Sequence, residues 1–433
     1  MKILYDASIL AANYKKDGSR SGIFWTAYNI LKEMSKVEAF DILLYISAEN
    51  KQMISVIKND IFLKEFVSFV DHSSLANSCR NKIARNIQKL RQNLNFLKTI
   101  LYLLRIVKNY LSLFKYTLYD KRLGIFYKNA DVFFSPMYAI PDKINKYKSI
   151  RKYLILYDVI QIKFPQYFPV LHEWFANVIK TLSKDIYYFC ISESTKHDFL
   201  ELFPDKLDSE KMFVMPLSIS QDFVPEYGKG ILAVVKNKYS MSMVKKYIFS
   251  FCTLMPHKNL IFTIGCFIKF IEKHDIHDLN FYLGGGGQMN LVLLENKIVN
   301  FKDYRSKIMQ LGYIDDEDVN ILYSNALFFT YISQYEGFGI PPLEAMQAGV
   351  PVITSNNSSL PEVVGDAAIT IDCNSEEQCI KAFEDFYFSE DLRRMYIQRG
   401  FDRVKLFSWK KTSSIIENVI TQEGKDEEAP VAL

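Results

Sequence analysis

Residues 323–372 read YSNALFFTYISQYEGFGIPPLEAMQAGVPVITSNNSSLPEVVGDAAITID, and their pattern indicates the class of fold. The run ALFFTYI predicts a buried strand, and QYEGFG predicts a loop whose two glycines let the backbone approach another group closely. Pro341 and Pro342 predict the start of a helix, because proline is tolerated where the first N–H groups of a helix have no partner. A helix that begins after the carboxyl end of a strand offers free N–H groups and a positive dipole end, which suits a diphosphate.

Two acidic side chains flank this predicted helix start. Glu336 lies in the glycine-containing loop, and Glu344 lies about one turn into the helix. Both can face the same cleft. Glu344 could accept hydrogen bonds from ribose hydroxyls, and Glu336 could hold sugar hydroxyls near a reacting carbon.

The rest of the chain repeats the strand–helix alternation. At 433 residues it is too long for one ordinary core, so two domains of roughly 200 residues each are expected. Alternation of short apolar strands with helical patterns predicts an α/β fold with parallel sheets covered on both faces. The predicted units are residues 1–222, 223–395, a helix at 396–421 that packs back on the first domain, and a disordered tail at 422–433.

A basic segment interrupts the alternation at residues 81–122. From Arg80 to Arg122 there are eleven Lys or Arg and one acid, Asp120, so the net charge of this stretch is about +10. Because the net charge of the whole chain is +4, the rest of the chain carries about −6. Apolar residues recur at helical spacing, which predicts amphipathic helices. One interpretation is a helical pair packed on the first domain; the other is a helix on an anionic membrane surface, with Arg91, Lys98, Arg105 and Lys108 as candidate contacts. No zinc or RNA-binding motif supports nucleic acid as the anionic partner.

Composition also bears on the compartment. The six cysteines form no CxxC pair, which favours reduced, mostly buried thiols over disulfides or a metal site. The N-terminal run MKILYDASIL becomes polar at once, so we expect a first strand there and no signal peptide. No apolar run reaches the ~18 residues that a membrane span needs. We therefore expect a cytoplasmic protein, peripheral at the inner face of the cytoplasmic membrane.

The stretch at 323–372 resembles the Glu-x7-Glu region of the family 4 glycosyltransferases, through EGFG, PPLEAM, GVPVITSN and LPEVVGDAA. The resemblance implies the GT-B fold, in which two Rossmann-like domains face each other across a cleft. It further implies a retaining enzyme of the mannosyltransferase-like, surface-polysaccharide type. By this resemblance Glu336 is catalytic, and the donor nucleotide is bound by Glu344 together with Gly337, Phe338, Gly339 and Ile340.

Other segments resemble the family in order and spacing. TLMPHKNL at 253–260 resembles the basic donor loop, so Lys258 would neutralise the diphosphate leaving group, and His257 stands where the family often has Arg. LGYIDDEDV at 311–319 resembles the stretch that contacts the base, which makes Tyr313 a donor contact. The segment at 18–22, ending in Gly22, resembles the glycine loop at the mouth of the cleft, although a surface turn fits it equally.

The first domain resembles the family more loosely. LYDVIQ at 156–161 resembles a His-Asp segment in which Tyr157 replaces the His and Asp158 is kept. A tyrosine cannot do the acid–base work of an imidazole near neutral pH, but Asp158 could bind a substrate hydroxyl; a turn or helix-cap role is the alternative.

The implied reaction moves a hexose from a GDP- or UDP-sugar to a hydroxyl of a glycan acceptor. We expect this acceptor to be lipid-linked, as in O-antigen or lipopolysaccharide synthesis, and we expect no metal or other cofactor. Catalysis would come from positioning and from stabilising charge on the leaving diphosphate. A glycosidase would also use two carboxylates, but it has no use for a diphosphate pocket. A non-catalytic nucleotide-sugar or glycan-binding subunit is the other alternative.

Overall fold

The structure is a computed structural model that describes residues 1–12, 22–47, 63, 68–71, 82, 83, 85, 107–111, 124, 127–220, 223–286, 297, 298 and 300–426. It contains two parallel sheets, each covered by helices, which confirms the predicted α/β class and the pair of Rossmann-like domains. Most of the basic segment at 81–122 lies outside the described residues.

The N-terminal domain is built on a seven-stranded parallel sheet of order β3-β2-β1-β4-β5-β6-β7. Its strands are β1 Lys2–Asp6, β2 Asp41–Ser47, β3 Ser68–Asp71, β4 Val132–Ser135, β5 Arg151–Leu156, β6 Tyr187–Cys190 and β7 Met212–Val214. Its helices are α1 Ser8–Ala12, α2 Gly22–Met34, α3 Asp142–Asn145, α4 Ile160–Lys163, α5 Glu173–Thr181 and α6 Glu193–Leu202.

The C-terminal domain is built on a six-stranded parallel sheet of order β10-β9-β8-β11-β12-β13. Its strands are β8 Lys246–Phe251, β9 Leu279–Gly284, β10 Ile308–Gly312, β11 Phe328–Tyr331, β12 Val352–Ser355 and β13 Ala368–Ile371. Its helices are α7 Lys229–Lys238, α8 Leu260–Lys273, α9 Phe301–Tyr304, α10 Asp316–Ser324, α11 Ile340–Gln347, α12 Leu360–Val364, α13 Glu376–Phe388 and α14 Glu390–Val404.

Each sheet has central strands that are apolar and buried on both faces. All four residues of β4, VFFS, and of β11, FFTY, are buried, as parallel strands between two helical layers must be. Aromatic rings fill much of the core; Tyr5 stacks on Phe134 with centroids 5.5 Å apart, and Tyr323 meets Phe329 edge-on at 5.1 Å. These rigid sheets fix where the strand-end loops lie.

The last helix, α15 Trp409–Asp426, crosses back to the N-terminal domain. It packs on α2, the Thr412 hydroxyl donates to the carbonyl of Pro216 at 2.7 Å, and Arg151 donates to the carbonyl of Ile420 at 2.7 Å. The helix runs to Asp426, into the segment where the sequence predicts a disordered tail.

Cysteine placement agrees with reduced thiols. Within the described ranges, the five cysteines are buried and free: Cys190, Cys252, Cys266, Cys373 and Cys379. Cys79 lies outside those ranges. None of the helices described is long and apolar enough to cross a membrane.

Candidate functional site

An ion pair lies at the carboxyl edge of the C-terminal sheet. The Nζ of Lys258, at the end of a 3-10 turn Pro256–Lys258, donates to Glu336 Oε1 at 2.5 Å and to the Tyr331 hydroxyl at 2.8 Å. The side chains of Lys258 and Glu336 are only 14% and 12% exposed. The sequence predicted a role for both residues, and the fold brings them together although 78 positions separate them.

Two serines hold the backbone of the loop that carries Glu336. The Glu336 N–H donates to Ser358 Oγ at 2.9 Å. The Ser359 hydroxyl lies 2.9 Å from the carbonyl oxygen of Glu336 and 2.6 Å from that of Phe338. Both serines precede α12, so that helix sets the path of the loop.

The two glycines of this loop meet different needs. Gly339 has φ +122°, a conformation that side chains rarely adopt, and it directly precedes α11, with Pro341 and Pro342 in the first turn. Gly337 faces the other domain: a Cβ there would lie 2.5 Å from the carbonyl oxygen of Tyr157. The close approach at Gly337 is therefore to the N-terminal domain. Phe338 is buried, and Ile340 is the first residue of α11.

Glu344 lies on α11 as predicted, half-buried. Its Oε2 accepts a hydrogen bond from the Tyr323 hydroxyl at 3.2 Å. Burial raises the pKa of Glu344 to about 7, and the charge of Asp316 adds to this, whereas the Tyr323 hydrogen bond opposes it. With this pKa, the Glu344 carboxyl is partly protonated near neutral pH, and a ligand that donates hydrogen bonds to it would favour the ionised form.

Asp158 enters the same site from the N-terminal domain, two residues after β5. Its Oδ1 accepts the Ile160 N–H at 3.0 Å. Burial raises the pKa of Asp158, and the Glu336 charge raises it further, whereas the Ile160 hydrogen bond and the Lys258 charge lower it. A Cβ placed on Gly337, the residue after Glu336, would lie 2.9 Å from the Cβ of Asp158, so Asp158 lies beside the Lys258–Glu336 pair across the domain boundary.

Neighbouring Tyr157 serves a structural purpose. Its ring is buried, its hydroxyl donates to the carbonyl of Pro136 at 2.8 Å, and burial raises its pKa far above the ordinary range. A hydroxyl held in that way cannot exchange a proton near neutral pH, in line with the expectation from the sequence.

His257 is buried beside Lys258, and burial and the Lys258 charge lower the pKa of its ring to about 4. The imidazole is therefore neutral at pH 7, so it adds no second positive charge where the family often has Arg. Its Nδ1 has no hydrogen-bond partner in the described structure. Its carbonyl oxygen accepts the Gln334 N–H at 2.8 Å.

The remaining predicted contacts belong to other segments of the chain. Tyr313 follows β10 and is half exposed, and Gly22 is the first residue of α2. Arg91, Lys98 and Arg105 lie outside the described residues. Lys108 is exposed in the helical stretch 107–111, beside the exposed apolar side chains of Val107, Tyr110 and Leu111.

One carboxyl of the N-terminal domain escaped the sequence analysis. Asp6 ends β1 at the carboxyl edge of the sheet, is buried, and accepts the Ser8 N–H at 3.0 Å. Burial raises the pKa of Asp6 to about 6. The available signal was an acid directly after the apolar run ILY, at the edge where parallel sheets bind ligands.

One group of described side chains has metal-ligand spacing. Single ligand atoms of His197, Asp198 and Glu201 all lie within 4.8 Å of one another on α6. Asp198 already accepts hydrogen bonds from Lys163 and, at 2.6 Å, from the Tyr335 hydroxyl. Because both oxygens of the Asp198 carboxylate already accept these hydrogen bonds, we interpret the three side chains as part of the contact between the domains and not as a metal site.

The sequence of this chain is similar to those of known proteins. The sequence model of the family Glycosyl transferases group 1 matches residues 235–403. The chain is 27% identical to O-antigen chain mannosyltransferase B of Escherichia coli over 285 residues, 65% of this chain and 72% of that protein. It is 24% identical over 251 residues, 57% of the chain, to the serotype-specific mannosyltransferase WbdA of Escherichia coli, a match that spans 30% of WbdA.

The fold as a whole also has solved counterparts. Sucrose-phosphate synthase from Thermosynechococcus elongatus matches with a TM-score of 0.63 at 13% identity, covering 98% of this chain and 99% of that one. The match extends over both domains and confirms the GT-B architecture.

Proposed function

We propose, from the premise that residues 235–403 form a glycosyl transferases group 1 domain, that this chain is a retaining hexosyltransferase acting on a nucleotide diphosphate sugar. The observation that carries the proposal is the cluster of Lys258, Glu336 and Asp158 beside the start of α11. It combines a cation for a leaving diphosphate with carboxyls for sugar hydroxyls, one from each domain.

In this reaction the bond between the anomeric carbon and the diphosphate oxygen breaks, and the acceptor oxygen bonds to that carbon on the same face. A leaving phosphate oxygen takes the acceptor's proton, so no protein base is required. Lys258 and the N-terminal end of α11 stabilise the negative charge that develops on the diphosphate. Glu336 and Asp158 orient hydroxyls of the substrates.

Glu344 is proposed to bind the ribose of the donor. A carboxylate can accept hydrogen bonds from both vicinal hydroxyls, and its raised pKa means that such donors would draw it into the charged form. Gly337, Phe338, Gly339 and Ile340 supply the backbone beside the diphosphate. His257 would contact the donor only as a neutral ring, and Tyr313 and Gly22 are proposed at the base and at the mouth of the cleft.

The donor sugar is proposed to be mannose or glucose carried on GDP or UDP. Support for mannose comes from the relatives named as O-antigen chain mannosyltransferase B and WbdA. The acceptor is proposed to be a lipid-linked glycan in surface polysaccharide synthesis, with no metal needed for transfer.

The enzyme is proposed to work at the inner face of the cytoplasmic membrane. The segment at 81–122 is strongly basic, and Lys108 is exposed among apolar side chains that are exposed as well. Each Lys or Arg near an anionic surface contributes roughly 1 kcal/mol, so half of them would hold the protein there. Flotation with phosphatidylserine vesicles tests this: the full chain should float and a chain lacking 81–122 should not, and equal flotation contradicts it.

A panel of GDP-mannose, GDP, UDP-glucose and UDP tests the donor. One nucleotide series should raise the unfolding temperature, and its sugar nucleotide should be turned over with retained anomeric configuration in the product, read by NMR. Glu336→Gln is the matched variant that should bind the nucleotide but turn over the sugar nucleotide about 100-fold more slowly. An inverted product would contradict the retaining assignment.

A further inference from the structure

The first turn of α6, in the N-terminal domain, is bound by a carboxylate from the C-terminal domain. Glu362, on α12, accepts the Glu193 N–H at 2.9 Å through one oxygen and the Ser194 N–H at 3.0 Å through the other. These N–H groups have no partner within their own helix, and a carboxylate there also meets the positive end of the helix dipole. Both hydrogen bonds are charge-assisted, the stronger kind.

The same end of α6 makes a second contact with the C-terminal domain. The Ser192 hydroxyl caps α6 by accepting the Thr195 N–H at 3.0 Å and donates to the carbonyl oxygen of Gly337 at 2.8 Å. The Thr195 hydroxyl donates to the carbonyl of Tyr157 at 3.0 Å. One helix end therefore binds the residue after Glu336 and the residue before Asp158.

The contacts close into a ring. From Gly337 the loop leads to Glu336, whose backbone is held by the serines that precede α12, and α12 carries Glu362 back to α6. Arg403 fixes the far end of α12, because its guanidinium donates to the carbonyls of Glu362 and, at 2.8 Å, of Val363. We call this ring the domain clamp.

We infer that Glu362 is a positioning residue that holds the two domains in the closed arrangement in which Glu336 and Asp158 share one site. The effect of Glu362 on transfer rests on the proposed function, whereas its effect on the distance between the domains does not. The contact is suited to reversible closure: Glu193 is exposed, and Ser194 and Glu362 are half-buried, so water can replace the hydrogen bonds when the domains separate. Substrates can then enter an open cleft and be enclosed.

The experiment measures domain separation and turnover in the same variants. Spin labels on Lys146→Cys and Glu377→Cys, two exposed positions in different domains, report the distance between domains in a background with Cys79 replaced by Ser. The described native cysteines are buried and should not react. Glu362→Ala should shift or broaden the distance distribution toward longer values, and Ser192→Ala should do the same from the other side of the clamp.

Turnover supplies the second readout. Glu362→Ala should lower kcat for transfer from GDP-mannose or UDP-glucose about tenfold, since misplaced catalytic groups carry penalties of that order or more. The Kd for the bare nucleotide should stay within about twofold, because the donor site lies on the C-terminal domain. Glu362→Gln, which keeps one acceptor oxygen, should fall between. Exposed Glu390 in the same domain is the control, and Glu390→Ala should match the wild type.

Three results separate the possibilities. A Glu362→Ala protein with the wild-type distance distribution overturns the inference, and so does one that only unfolds at lower temperature with kcat unchanged. If no sugar nucleotide is turned over even by the wild type, the proposed function fails while the distance measurement still decides the clamp.

Discussion

Lys258 and Glu336 neutralise each other in this structure, with Nζ 2.5 Å from Oε1 and both side chains largely buried. The hydroxyl of Tyr331 completes the contact at 2.8 Å. An arriving diphosphate would offer Lys258 a stronger anionic partner and release Glu336 toward the sugar. We therefore expect the pair to link donor binding to the placement of Glu336.

Replacing Glu336 by Gln should separate binding from chemistry. The amide removes the negative charge that competes for Lys258, so nucleoside diphosphate should bind as tightly as in the wild type or more tightly. Transfer should fall about 100-fold, because the charge near the reacting carbon is lost. Calorimetric titration with GDP and UDP, beside turnover of the sugar nucleotide, measures both.

The control for that variant is Glu376→Gln, which removes a carboxylate from an exposed pair with Lys269. This substitution should change neither the affinity for the nucleotide nor the rate of transfer. Weakened nucleotide binding in Glu336→Gln with turnover kept would contradict the proposed role.

Nucleotide affinity should depend on pH through Glu344. Its pKa is raised from 4.5 to about 7, so the free protein holds this carboxyl partly protonated at neutral pH. A ribose diol prefers the ionised form, so Kd should decrease as pH rises from 6 to 8, by up to about tenfold per unit below the pKa. The part of the pH dependence that Glu344 contributes should be lost in Glu344→Gln.

The same pH series on the Gln variant removes the contribution of the nucleotide phosphates, since these titrate equally in both proteins. Identical pH slopes in the two proteins would contradict a ribose contact at Glu344.

Asp6 should lower stability at alkaline pH. Its folded pKa is raised from 3.8 to about 6, so its contribution to stability is complete below about 3.8 and is lost as pH rises through about 6. Asp6→Asn keeps an acceptor for the Ser8 N–H and has no charge to bury. The variant should unfold about 2 °C higher than the wild type at pH 8, with the difference gone near pH 3.5.

Thermal unfolding across pH measures this effect, with the same substitution at exposed Asp142 as the control. A difference in unfolding temperature between Asp6→Asn and the wild type that does not change with pH would contradict the predicted role of the Asp6 charge. Slower transfer in the more stable Asp6→Asn protein would indicate that the buried charge serves the cleft.

Sequence patterning predicted the strands that are buried on both faces, because a short apolar run such as ALFFTYI is typical of a buried strand. It did not predict β10, whose residues are all half-buried and whose sequence IMQLG lacks a continuous apolar run. Residues 396–421 are predicted from the sequence as one helix but form parts of two, since α14 ends at Val404 and α15 begins at Trp409. The break has a local signal in Ser408, whose Oγ accepts the Lys411 N–H at 3.2 Å as an N-cap of α15.

The site was predictable where local motif and chemistry coincide, and not where it depends on contacts between domains. Glu336, Glu344 and Lys258 belong to dense motifs and could be named from them. Glu362 belongs to such a motif too, yet its partner Ser194 lies 168 positions away on a helix that nothing local links to it. Gly337 likewise reads as a ligand-approach glycine, and only the fold reveals Tyr157 beside it.

The central claim is that a diphosphate is bound where Lys258 faces the start of α11. The most direct test compares affinity for GDP with that for GMP, and for UDP with that for UMP, in the wild type and in Lys258→Met. The wild type should favour the diphosphate of the accepted base at least about tenfold, and the variant should lose most of that preference while binding the monophosphate as before. A Lys258→Met protein that discriminates as well as the wild type would contradict the claim.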